Sequence, residues 1–182
     1  MSKIGRKPID IRDVQVSVQG QTVTYKGKKD SGSYTLPPEL EASIEGTELL
    51  VKPSNKGAHL REINRIWGLH RSLLANMIQG ARSDFERQLE IVGLGFKAVV
   101  SGKKIVFSLG YSHTIDFELP NKVVVEADKT GQLLTVKSPS KDLVGQVCSN
   151  IKSLRPPEPY KGTGIKYKSE VILRKAGKTK AA

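Results

Sequence analysis

Apolar residues recur along this chain with two periods, and the period switches from short to long twice. Val14, Val16 and Val18 alternate with polar residues, Gly20-Gln21 supplies a turn, and Val23 and Tyr25 alternate on the return. Side chains spaced by two line one face of a strand, so this stretch reads as a hairpin with one face buried. Ile44 to Val51 holds another turn, Glu45-Gly46-Thr47, between strand-like pieces. The period then lengthens. Leu60, Ile63, Trp67 and Leu74 fall at helical spacing, widened by Ile66, Leu73 and Met77, which predicts a helix from about Ala58 to Gly80. The second half repeats the order. Phe96 to Val100, Lys104 to Ser108 and His113 to Leu119 read as strands, with Gly102-Lys103 turning the first pair, and Lys122 to Ala127 and Leu133 to Val136 add two more. Leu143, Val147, Ile151 and Leu154, beside Val144 and Cys148, mark a second helix from Lys141 to Leu154.

The two halves also match residue for residue. Val18, Gly20, Val23 and Tyr25 fall on Val100, Gly102, Ile105 and Phe107 at a lag of 82, and Leu36-Pro37 falls on Leu119-Pro120 at a lag of 83. Leu50 to Lys56 resembles Thr135 to Lys141 at a lag of 85, and each half then enters a helix, through Leu73 to Met77 in one and Val147 to Ile151 in the other. Four matches in one order indicate a duplicated unit. The expected architecture is α+β: two tandem duplicated domains, each a small, mainly antiparallel sheet packed against one helix. The expected domains are residues 1–82 and 83–182, with the hinge between Gly80 and Glu90.

Composition narrows the class. The chain has 182 residues, 37% hydrophobic and 26% charged, which suits ordinary globular domains. No apolar run is long enough to span a bilayer, and the charged start from Met1 to Pro8 does not read as a secretory signal. The lone Cys148 excludes an internal disulfide and a cysteine zinc cluster. A cytoplasmic protein is expected.

The net charge of +12 is unevenly placed. Residues 1–29 carry seven basic and two acidic side chains and residues 152–182 carry nine and two, while the stretch between them holds 14 of each sign. Lys and Arg concentrated at both ends of a neutral body suit a polyanion, because each neutralised phosphate releases condensed counterions. Solvated tails are the plain alternative. A membrane surface fits less well, since neither end shows a basic amphipathic helix.

Candidate chemistry is sparse. Gly93-Leu94-Gly95-Phe96-Lys97-Ala98 has the spacing of a dinucleotide loop, but a helix must follow such a loop to face the pyrophosphate. Here a hairpin follows, so a glycine-kinked strand or bulge is expected. His59, His70 and His113 have no companions for a metal set, and His113 reads as a turn or RNA-contacting residue. Cys148 reads as core packing. Neither an enzyme, a cofactor nor a small-molecule substrate is indicated.

The segment from Arg155 to Lys168 stands apart. Pro156, Pro157 and Pro159 stop the second helix and stiffen the chain. Gly162 and Gly164 would let backbone N–H groups approach a phosphate, Arg155, Lys161, Lys166 and Lys168 supply charge, and Tyr160 and Tyr167 could stack on bases. Alternation would place Lys166 and Lys168 on one strand face and Tyr167 on the other. A rigid surface loop with a solvated basic face is the alternative.

Pro157-Glu158-Pro159-Tyr160-Lys161-Gly162-Thr163-Gly164-Ile165 resembles the signature of the bacterial-type large-subunit ribosomal protein six family. Ile4 to Ile9, Arg71 to Met77, Leu109 to His113 and Val144 to Val147 agree in order and separation, so the resemblance covers nearly the whole chain. Thr163 stands where the family usually has Lys, Thr114 where Pro is usual, and Ser83 where Gly is common. Thr163 is therefore not carried over as a phosphate contact. The resemblance implies a non-catalytic ribonucleoprotein component with two duplicated domains. It would bind large-subunit rRNA near the sarcin–ricin loop and the stalk base, beside neighbouring ribosomal proteins and where translational GTPases dock. The implied rRNA contacts are Tyr160, Lys161, Gly162 and Gly164, extended by the tail residues Arg174, Lys175, Lys178 and Lys180. Lys3, Arg6 and Lys7 form a further contact set. Two other classes stay open on the sequence: a free RNA-binding assembly or regulatory factor, and an enzyme using the glycine string.

Overall fold

The computed structural model describes residues 2–54 and 60–177, with the side chains of 60–62 outside that description. Ala58, His59, Lys178 and Lys180 lie outside the described residues. The chain forms two compact units, one of residues 1–84 with 139–141 and one of 85–138 with 142–182.

The first unit contains β1 (Ile9–Asp10), β2 (Gln15–Gln19), β3 (Thr22–Lys26), β4 (Ser31–Thr35), β5 (Leu40–Glu45), β6 (Glu48–Pro53) and α1 (Leu60–Arg82). These strands make two antiparallel sheets, ordered β2-β3-β4 and β1-β6-β5. Gly20 and Gly46 sit at φ 61°, the left-handed conformation that a two-residue hairpin requires and that glycine adopts without strain. Val23, Leu36, Leu40 and Leu49 close a core with Trp67, Leu74, Ile78 and Ala81 of α1. The buried stripe of α1 thus continues past Leu74 to Ile78 and Ala81, while Leu73 and Met77 are only half-buried. Trp67 satisfies its indole N–H by donating to the Val51 carbonyl at 2.7 Å. The helix runs to Arg82, two residues beyond Gly80, where Lys29 donates its backbone N–H to the Ala81 carbonyl at 3.0 Å.

The second unit contains β7 (Phe85–Val92), β8 (Lys97–Ser101), β9 (Lys104–Ser108), β10 (Ile115–Glu118), β11 (Val124–Ala127), β12 (Leu133–Ser138), α2 (Lys141–Leu154) and β13 (Gly164–Tyr167). Its sheets are β10-β9-β8 and β11-β12-β7-β13, again antiparallel throughout. Val144, Val147, Cys148 and Ile151 of α2 pack into one core with Leu89, Ile91, Ile105, Phe107, Leu134 and Val136. Asp142 in the first turn and Lys152 in the last complement the helix dipole.

The duplication is visible in the register. Val18 opposes Val23 in the first unit and Val100 opposes Ile105 in the second, with Gly20 and Gly102 both at φ 61°. Each unit therefore holds two small sheets and one helix, an α+β arrangement made twice. The glycine string joins β7 to β8, with strands on both sides and no helix after it. Phe96 covers Gly93, where a Cβ would lie 2.5 Å from its ring. Among the described residues, β13 alone lacks a counterpart in the first unit, and it comes from the proline- and glycine-rich segment.

Candidate nucleic-acid interface

α2 ends at Leu154, and the prolines that follow cannot continue it. The chain then closes a tight loop: Glu158 donates its N–H to the Thr163 carbonyl at 3.0 Å, and Gly162 donates to the Glu158 carbonyl at 3.1 Å. The Thr163 hydroxyl donates to a Glu158 carboxylate oxygen at 2.6 Å and so fastens the loop. β13 then returns along β7 as an edge strand, and Ile165, fully buried, donates its N–H to the Arg155 carbonyl at 2.8 Å.

This geometry changes the reading of both glycines. Gly162 is at φ 73° and its N–H is already bonded within the loop, so it does not offer that donor to a phosphate. A Cβ on Gly164, at φ 139°, would come within 2.6 Å of the Pro156 carbonyl oxygen and 2.7 Å of the Pro157 Cα. Two backbones cross there, and only hydrogen fits between them.

The cations divide into two groups. Lys166 lies 3.1 Å from Glu90 on the neighbouring strand. Arg155 is directed inward: it donates to the Leu109 carbonyl at 2.8 Å, and its guanidinium carbon lies 5.1 Å from the centre of the Phe96 ring and 4.8 Å from that of Tyr111. By contrast, Lys161, Lys168, Arg174 and Lys175 are exposed, and none makes an ion pair among the described residues. The tail comes back to the loop, where Lys175 donates its N–H to the Pro159 carbonyl at 2.8 Å. The Arg174 guanidinium also lies beside Gly162, 3.3 Å from where a Cβ would stand. Tyr160, Lys161, Arg174 and Lys175 are thereby gathered at one loop, with Tyr160 58% exposed. Lys168 lies four residues along from Gly164, about 13 Å at strand rise. The expected Lys166/Lys168 face is not formed as such, because β13 ends at Tyr167 and Lys168 enters a turn.

That turn is held by Glu170, which accepts from Lys152 at 2.6 and 2.8 Å and from the Tyr167 N–H at 3.2 Å. The Lys152 ammonium holds the Glu170 carboxyl below the usual carboxylate range. Tyr167 lies under the Arg87 guanidinium and the Lys152 ammonium, at 5.4 and 5.1 Å, so its ring is engaged within the fold. Cys148 is fully buried and burial pushes its thiol up to about 11, which suits a core residue. Lys178 of the expected set lies outside the described residues.

In the first unit, the N-terminal segment is strapped along α1. Arg71 donates to the Lys7 and Pro8 carbonyls at 2.9 and 2.7 Å, and Ser2 donates its N–H to Asn64 at 3.1 Å. Gly5 faces the Trp67 indole, which a Cβ would meet at 2.5 Å. Lys3, Arg6 and Lys7 are left exposed on this strap. Residues that fix the two segments, Arg71 and Arg155, carry charge like the rest, and the sequence alone gives no sign of their internal partners. His70 accepts or donates a short hydrogen bond with the Tyr34 hydroxyl at 2.5 Å, and no metal cluster is found among the described residues.

Comparison with known proteins agrees with the duplicated architecture. The family model described as ribosomal protein L6 matches twice, over residues 12–83 and 92–168. A protein named large ribosomal subunit protein uL6 from Desulfatibacillum aliphaticivorans is 44% identical over 182 residues, covering all of both chains. Proteins of that name from Natranaerobius thermophilus and Bifidobacterium animalis subsp. lactis are 45% and 46% identical, covering 98% and 97% of this chain and 99% and 97% of their own. With both halves matched and relatives aligned end to end, the chain belongs to the ribosomal protein L6 family.

Proposed function

We propose that this protein is a non-catalytic structural constituent of the large ribosomal subunit in the cytoplasm, with residues 1–82 and 83–182 as its two domains. It binds large-subunit rRNA near the sarcin–ricin loop and the stalk base, beside neighbouring large-subunit proteins and where translational GTPases dock. The observation that carries this reading is the set of exposed cations Lys161, Arg174 and Lys175, which make no ion pair among the described residues and gather at a loop locked by its own backbone. A rigid cationic surface neutralises phosphates without losing loop entropy on binding, and phosphate contacts fix register rather than sequence. Tyr160 supplies an exposed ring at the same place, and Lys168, in the turn after β13, extends the charge. Arg155, Gly162, Gly164 and Lys166 act by shaping the surface. Lys3, Arg6 and Lys7 provide a second contact set, and Lys178 prolongs the tail.

Binding of the full chain to a large-subunit rRNA fragment spanning the sarcin–ricin loop and the stalk base tests this reading. Eight phosphate contacts give a salt slope of about −6 to −7, so affinity falls by roughly 10³- to 10⁴-fold between ~50 and ~200 mM salt. Lys161→Ala and Arg174→Ala each shallow the slope by about 0.7–0.9. Lys103→Ala with Lys104→Ala, in the hairpin turn, leaves it unchanged. A flat salt response of the unmodified protein, or equal effects of both variant sets, would refute the interface.

A further inference from the structure

The loop from Gly110 to His113 carries a feature that the cationic interface does not use. Tyr111 and His113 are both exposed, yet their rings are stacked, with centroids 6.1 Å apart and planes 22° from parallel. Two exposed rings two residues apart on a loop would ordinarily rotate freely. Here the lower ring is pinned. The Tyr111 hydroxyl donates to the Leu154 carbonyl at 3.2 Å, at the open end of α2, and the Arg155 guanidinium lies 4.8 Å from its ring centre. Arg155 is itself fixed by the Leu109 carbonyl and by Phe96. Gly110, at φ 76°, lets the chain turn over Phe96, whose ring a Cβ would meet at 2.6 Å.

The molecule thus holds two nearly parallel, offset rings at its surface, with the Arg155 guanidinium over the Tyr111 ring. We propose that this stack is a platform for an unpaired nucleobase, which lies on the free face of His113 and continues the Tyr111–His113 stack. Every base has a π-face, so such a platform takes any unstacked base and needs no hydrogen-bond readout. Recognition of RNA by proteins favours bases splayed from loops onto aromatic planes, and this site offers exposed aromatic rings with a guanidinium close by. Arg155 is a positioning residue in this account: it orders Tyr111 and lends positive charge, without touching the base.

The proposal rests on the rRNA-binding reading above, and the two fail differently. The full chain is titrated with the same rRNA fragment, comparing His113→Ala, His113→Phe and Lys161→Ala with the unmodified protein. His113 is exposed and, among the described residues, makes no hydrogen bond or ion pair, so its replacement leaves the fold intact. Loss of the stacking ring weakens binding about tenfold with the salt slope unchanged, because stacking releases no counterions. His113→Phe restores the affinity, whereas Lys161→Ala shallows the slope. Unaltered affinity of His113→Ala, or a Phe variant as weak as the Ala variant, overturns the platform while leaving the cationic interface standing. Failure of the unmodified protein to bind the fragment overturns both.

Discussion

Replacing Gly164 by alanine separates two reasons for a glycine in the candidate interface. If the residue is glycine because two backbones cross there, the substitution damages the fold. If it is glycine so that a phosphate can approach, the fold survives and only binding is lost. Gly164 sits at φ 139°, a region that costs an L-residue roughly 1–3 kcal/mol. The new Cβ would also lie 2.6 Å from the Pro156 carbonyl oxygen and 2.7 Å from the Pro157 Cα. Both are backbone atoms, so no side chain can swing aside. Displacing them adds about 1–3 kcal/mol, the usual range for an inserted methyl in close-packed surroundings. Together the expected loss is roughly 2–6 kcal/mol, limited by the free energy of peeling β13 from β7. A domain of 60–100 residues loses ~4–8 °C per kcal/mol, so thermal denaturation of the RNA-free protein should show a drop of about 10 °C or more. Gly162→Ala serves as the comparison. Its φ of 73° is strained for alanine, but its near neighbour is the end of the exposed Arg174 side chain at 3.3 Å, which can move. Its loss should stay near ~1 kcal/mol. Wild-type stability of Gly164→Ala combined with lost RNA binding would refute the crossing argument and restore the phosphate one.

Other outcomes follow from the buried and paired groups. Cys148 is fully buried and its thiol is raised to about 11, so a thiol-specific reagent at pH 8 should react only after denaturant is added. Rapid labelling of the native protein would show α2 undocked from its sheet. Glu170 is ionised more readily in the fold than in the unfolded chain because Lys152 stabilises its charge. Its contribution is therefore present above the ordinary glutamate range and lost as pH falls through and below that range. Amide exchange at Tyr167, whose N–H donates to Glu170, should lose protection on acidification, and Glu170→Gln should remove that pH dependence. Exchange at Tyr167 in Glu170→Gln that still follows the carboxylate titration would contradict the assignment.

The readable parts of this fold share a cause. The hairpins were legible because their alternation is strict and a glycine in the left-handed region sits at each turn, as at Gly20 and Gly102. α2 keeps its predicted bounds, Lys141–Leu154, because prolines follow it and its buried stripe is uninterrupted. β4, Ser31–Thr35, carries no alternating apolar residues and exists by pairing with β3, a relation that local pattern does not encode. The two-residue β1 is too short for any period. Splitting each expected sheet into two likewise depends on pairings between distant strands. At the candidate interface, the sequence located the basic segment but could not sort its charges. Arg155 and Lys161 read alike in the sequence. Only the fold reveals that Leu109, Phe96 and Tyr111 surround the first, while the second faces solvent. The same holds for Lys166, whose partner Glu90 lies on a strand far away in the chain.

The central claim is that this chain is an integral part of the large subunit, and sedimentation tests it most directly. A tagged full-length chain, expressed in cells, is followed through a sucrose gradient at magnesium low enough to separate the subunits. The account predicts comigration with the large subunit that survives a moderate salt wash. A peak at the top of the gradient, or on precursor particles alone, would contradict it and identify a factor that leaves before the subunit is mature.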